Sequence, residues 1–137
     1  MGEARGLTNL RLIWLGTLAF LPLYAGVGVL LGRTWPPRDP AVLEWLVPAL
    51  VGLGLVLAVL SLGIRPVLRR FGAEYGPASL SAWLCAEAAV LCGLVLWLES
   101  GFVAGFGAFS LLNGILMAIL VPTEAGLWRH DGEGRQE

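Results

Sequence analysis

Residues 79 to 99 read SLSAWLCAEAAVLCGLVLWLE, a run long enough to cross a bilayer as one helix at about 20 residues per span. Its centre carries a carboxylic acid, Glu87, and an ionised side chain at that depth costs about 2.5–3.5 kcal/mol on the insertion scale. An acid held there asks for a partner or a task.

Working outward, the spacing of charges sets the architecture. Uncharged intervals run from Arg11 to Arg33, from Glu44 to Arg65 and from Glu99 to Glu124, with 21, 20 and 24 residues between the named charges. Each satisfies the length of a helical span, and the interval from Glu74 to Glu99 makes a fourth around Glu87. With 57% hydrophobic and 14% charged residues in a chain of 137, the composition is too apolar for a soluble domain of this size. The chain therefore reads as one all-α membrane domain over residues 1–137. It is expected to be an antiparallel bundle of four transmembrane helices, at about 8–32, 41–64, 78–99 and 102–121, with a disordered tail over 123–137. The first apolar run exceeds the roughly 7–15 residues of a signal-peptide core, so it is expected to stay in the mature protein.

Punctuation agrees with that division. Pro22 is expected to kink the first helix, and Gly26, Gly28 and Gly32 let a neighbour approach closely. Trp35-Pro36-Pro37 makes the next connection stiff. The second helix, with Gly52, Gly54 and Ala58 as its small residues, is expected to end at Arg65-Pro66. Beyond it lies a connection bearing Arg69 and Arg70, read first as a topology signal and second as a site for a phospholipid or an acidic partner. The amino-terminal arm, that connection and the tail share one side and carry seven arginines, against two on the other side. By the positive-inside rule both termini are cytoplasmic, in an inner-membrane, multi-pass protein. Trp14 and Trp128 fall near the cytoplasmic boundary and Trp35, Trp45 and Trp97 near the outer one, as interfacial anchors.

Several functions lack their chemistry. A formal net charge of −1 gives no basic face for nucleic acid. The one histidine, His130, lies outside the spans, and no spacing offers a metal or haem site, so no cofactor is expected. Cys85 and Cys92 are seven residues apart on one helix, about 10 Å in rise, too far for a disulfide within one chain. Neither a nucleophile–base pair nor a phosphate-cradling loop appears, so no enzyme activity is expected.

Depth counting finds a partner for the acid. The short turn at Ser100-Gly101 makes the third and fourth helices antiparallel neighbours. Glu87 stands 13 residues before Ser100 and Asn113 stands 12 after Gly101, so the two lie at one level. The plain expectation is a neutral Glu87 bonded to Asn113 or Ser110, locking the hairpin. On a helical wheel the small residues Ser81, Ala82, Cys85, Ala86, Ala88, Ala89, Cys92 and Gly93 share one side. Glu87 falls opposite, among Leu80, Trp83, Leu84, Leu91, Leu94 and Leu98, facing lipid or another subunit.

Glu87-Ala88 followed by Leu91-Cys92-Gly93-Leu94-Val95 resembles the carboxylate helix of the rotary ATP synthase proteolipid, the c subunit. The likeness extends over residues 41–99, through Arg65-Pro66 at the cytoplasmic connection. It implies an ion-carrying role for Glu87, binding and releasing a proton or sodium ion. Departures are a glycine repeat reduced to Gly52 and Gly54, and helices both before and after the hairpin. The leading expectation is a non-enzymatic subunit or homo-oligomer in which Glu87 and Asn113 fix helix association. The alternative is proton or cation translocation through Glu87.

Overall fold

The structure is a computed structural model that describes residues 2–36 and 38–123. It is all-helical: α1 (Gly2–Gly32), α2 (Pro40–Arg70), α3 (Tyr75–Ser100) and α4 (Val103–Ile119). At 1.5 Å per residue these are about 46, 46, 39 and 25 Å long. Three of them, α1 to α3, are long and apolar enough to cross a membrane.

The architecture is a central helix and three that lean on it. The α3 helix packs most extensively on α2, then α4, then α1. That arrangement buries Ala82, Trp83, Ala86, Ala89, Val90, Cys92, Gly93, Leu94 and Leu96 of α3, leaving Leu80, Leu84, Leu91 and Val95 exposed. The α1 helix contributes a seam at a seven-residue spacing, Leu7, Trp14, Leu21 and Gly28 alternating with Leu10, Thr17 and Tyr24, the repeat that keeps one face of a helix on its neighbour. Between their ends the helices present mainly apolar outward faces, with Leu12, Leu30, Val59, Leu111 and Ile119 among the most exposed side chains.

Packing is closest where small residues receive aromatic rings. Phe109 of α4 enters between α2 and α3: a Cβ on Gly54 would lie 2.5 Å from its Cε1, and one on Gly93 would lie 2.9 Å from its Cβ. On the far side of α3, Trp97 lies against Gly28, whose Cβ would come within 2.0 Å of the indole. Trp97 also packs on Phe106 at 5.4 Å between ring centroids. The close approaches expected at Gly26, Gly32 and Gly52 do not occur, since nothing stands within 4 Å of a Cβ there.

Helix boundaries depart from expectation in three places. The α2 helix does not stop at Arg65-Pro66 but continues to Arg70, with both Pro48 and Pro66 inside it. A proline removes one hydrogen bond, and in an apolar helix braced by neighbours that loss is tolerated. The turn follows instead at Phe71–Glu74, with Gly72 at φ +85°, and α3 starts at Tyr75 rather than near residue 78. The α1 helix likewise begins before residue 8, and it runs on past Pro22 to Gly32 as expected.

The third departure is α4, which ends at Ile119, not 121. Its last carbonyls would be unsatisfied, and two tryptophans serve them. Trp14 donates its indole N–H to Met117 O at 3.0 Å and Trp83 donates to Leu120 O at 3.2 Å. Trp83 is fully buried, so its ring and its hydrogen bond both belong to the interior. It lies eight residues into α3, so α4 ends about 12 Å short of the α3 terminus. The chain then passes buried Pro122 to Thr123, whose N–H donates to Tyr75 Oη at 3.2 Å. The 123–137 tail otherwise falls outside the described residues, as do His130 and Trp128.

Candidate functional site

One end of the bundle gathers Leu10, Arg65, Tyr75, Gly76 and Thr123; the other gathers Gly28, Arg38, Trp97 and Glu99. Glu87 lies between them, on the side of α3 that faces α4. It is 6% exposed and Asn113 1%. Asn113 Nδ2 donates to Glu87 Oε1 at 3.2 Å, so the two side chains that depth counting placed together do meet. Each sits on a buried position of its helix, Asn113 in line with Phe106, Phe109, Leu116 and Met117.

The acid is thus enclosed by its own chain. Trp83 and Leu94, grouped with it on the bulky side, are buried as well, whereas Leu80, Leu84 and Leu91 point outward. Lipid and a second subunit are both replaced by α4 and by α1, which brings the Tyr24 hydroxyl towards the carboxyl. Tyr24 was not among the expected site residues. Its seven-residue register with Leu10 and Thr17 on α1 is the signal that identifies it, once α1 is known to lie against α3.

Hydrogen bonding at this point is incomplete. Glu87 Oε2 and Asn113 Oδ1 are buried and have no hydrogen-bond partner, and Ser110 Oγ is in the same condition. Ser110, expected as an alternative partner for Glu87, makes no bond to it. A neutral carboxyl can donate from one oxygen and accept at the other, and an amide can do the same, so a Glu–Asn pair has capacity for a second bond. The arrangement can hold a proton on Glu87, and two further unpartnered oxygens, Asn113 Oδ1 and Ser110 Oγ, lie on α4. Cys85 and Cys92 are free thiols. Among the described residues no three His, Cys, Asp or Glu side chains cluster as metal ligands.

A second polar group closes the opposite end. Arg38, in the α1–α2 connection, donates through both Nε and Nη2 to Glu99 near the end of α3, the latter at 3.1 Å. This two-pronged pair ties the connection to the central helix. The hydrogen bond to Glu99, then its charge, raises the Arg38 pKa above its ordinary value. Trp35, Pro36, Trp97 and Gly101 line an open recess of about 300 Å³ around the pair. Nothing in the sequence marks this pairing, because Arg38 and Glu99 are 61 residues apart and each reads as a boundary charge.

No protein-family model, curated protein or solved structure matches this chain.

Proposed function

We propose that this chain is a small non-enzymatic integral membrane protein that works as a subunit of a membrane assembly or as a homo-oligomer. Its four helices each cross the bilayer, and both termini lie in the cytoplasm. The observation that carries this reading is the Glu87–Asn113 hydrogen bond at 3.2 Å in the interior of a bundle whose outer faces are apolar. In hydrocarbon such a bond contributes about 0.6–2 kcal/mol to helix association. Its place between α3 and α4 makes it a lock within the chain, leaving the outer faces of α1, α2 and α4 for lipid and for partners. In this reading residues 120–122 complete the fourth crossing begun by α4, with the Met117 and Leu120 carbonyls satisfied by Trp14 and Trp83.

The test is the purified chain in sealed vesicles, comparing wild type with Glu87→Gln for oligomeric state and for proton flux under an imposed pH gradient. An amide keeps the acceptor that Asn113 uses, so assembly is expected to be unchanged, with no flux in either protein.

A second reading, proton or cation translocation through Glu87, is favoured by one observation: Glu87 Oε2, Asn113 Oδ1 and Ser110 Oγ are buried without partners. The resemblance of residues 41–99 to the rotary proteolipid points the same way. It expects flux in wild type that Glu87→Gln abolishes, and labelling of Glu87 by a lipid-soluble carbodiimide that fades as pH rises. Flux of that kind would overturn the assembly reading.

A further inference from the structure

The end of the bundle that holds Tyr75 carries an unexplained concentration of positive charge. Arg11, Arg65, Arg69 and Arg70 lie there around Glu74. Arg65 donates to Tyr75 Oη and its guanidinium lies over the Tyr75 ring, 4.4 Å from the centroid. Arg69, one helical turn on, lies 5.6 Å from the same centroid. Tyr75 is 5% exposed, so the ring is a fixed platform, and the phenol oxygen is held from the other side by the Thr123 N–H. The one ion pair among the described residues is Arg38–Glu99 at the opposite end. Neither Arg65 nor Arg69 therefore has a described carboxylate within reach. Two guanidinium groups a turn apart, oriented by one aromatic ring and with no ion pair among the described residues, form a fork suited to a phosphate.

Depth identifies the source of that phosphate. Residues 45–64 fill a hydrocarbon core of about 30 Å, and α2 continues six residues further, about 9 Å, to Arg70. This continuation carries Arg65 and Arg69 out of the core into the headgroup layer. Val67 and Phe71 are exposed beside them, Phe71 to 85%, and give apolar surface to acyl chains at the same level. An acidic peptide would use the charges and leave Phe71 in water.

We propose that Arg65 and Arg69, braced on Tyr75, bind the phosphate of an anionic phospholipid headgroup. The proposal rests on the membrane reading given above. Its test is native mass spectrometry of the full chain in neutral detergent, titrated with phosphatidylglycerol, with phosphatidylcholine of the same acyl chains, and with inorganic phosphate. Wild type is expected to prefer phosphatidylglycerol. Arg65→Gln/Arg69→Gln is expected to lose about 30-fold of that preference and Arg69→Gln alone about fivefold, whereas Arg33→Gln at the opposite end keeps it. Arg69→Gln leaves the Arg65–Tyr75 bond in place, so it serves if the double variant does not fold. Equal binding of the two lipids by wild type, or an unchanged preference in folded Arg69→Gln, would overturn the proposal. Displacement of the lipid by equimolar inorganic phosphate would assign the fork to a soluble anion and overturn it too. An alkaline wash of membranes keeps the two readings apart: a chain released by the wash refutes membrane integration, while a retained chain without lipid preference refutes the headgroup site alone.

Discussion

Glu87 and Asn113 form a pair whose two halves are unequal in what they can lose. Glu87→Gln keeps a carbonyl for Asn113 Nδ2, and its stability in detergent should stay within about 1 kcal/mol of wild type. Glu87→Leu strands a buried amide, and unfolding by denaturing detergent should show a loss of about 1–3 kcal/mol. If the glutamine variant loses as much as the leucine variant, the carboxyl does something an amide cannot. Here the sequence was informative because counting from a two-residue turn fixes depth on both helices, and depth alone brought residues 87 and 113 together. The direction in which Glu87 points was not legible. A wheel separates faces only when a helix has one buried side, and α3 is enclosed by three neighbours. Its small residues mark the α2 side and Phe109, while its large residues Trp83 and Leu94 are just as buried.

At the scale of the element, the glycines are unequal. Gly93→Ala places a methyl 2.9 Å from Phe109 Cβ, an atom tethered to the α4 backbone, and overpacking of that kind costs about 1–3 kcal/mol. Gly26→Ala meets nothing within 4 Å and should be neutral or stabilising, by up to about 1 kcal/mol. A thermal melt of both variants in the same detergent checks the contrast, and equal losses would refute the seating of Phe109. The α4 terminus makes a separate prediction. Trp83→Phe keeps a large ring but removes the donor to Leu120 O, and should cost about 1–3 kcal/mol. Hydrogen exchange should then speed up over residues 117–120 and not over 103–110. Sequence reasoning treated tryptophans as interfacial anchors, which suits Trp45 at the surface. It had no means of seeing that Trp14 and Trp83 finish a helix on another part of the chain, because that depends on where α4 stops.

For the molecule as a whole, the two ends differ in charge. The Tyr75 end carries Arg11, Arg65, Arg69 and Arg70 around Glu74, and the Arg38 end carries Arg33 and Arg38 beside Asp39, Glu44 and Glu99. A reporter fused after Glu137 should therefore be cytoplasmic, and a cysteine at Gly101 should react with an impermeant reagent added from outside. A reporter found outside would either reverse the orientation or remove the fourth crossing. Helix number and the sharing of one end by the start of α1, the α2–α3 connection and Thr123 were readable from charge spacing. Helix length was not, because Pro66 does not stop α2 and no residue announces that α4 stops early. Those lengths give the bundle a wall of uneven height, about 46 Å along α2 and about 25 Å along α4. In the bilayer proposed for it, lipid beside α4 would thin or the whole molecule would lean, so the proposed membrane placement makes stability in bilayers of different acyl-chain length a measurable quantity.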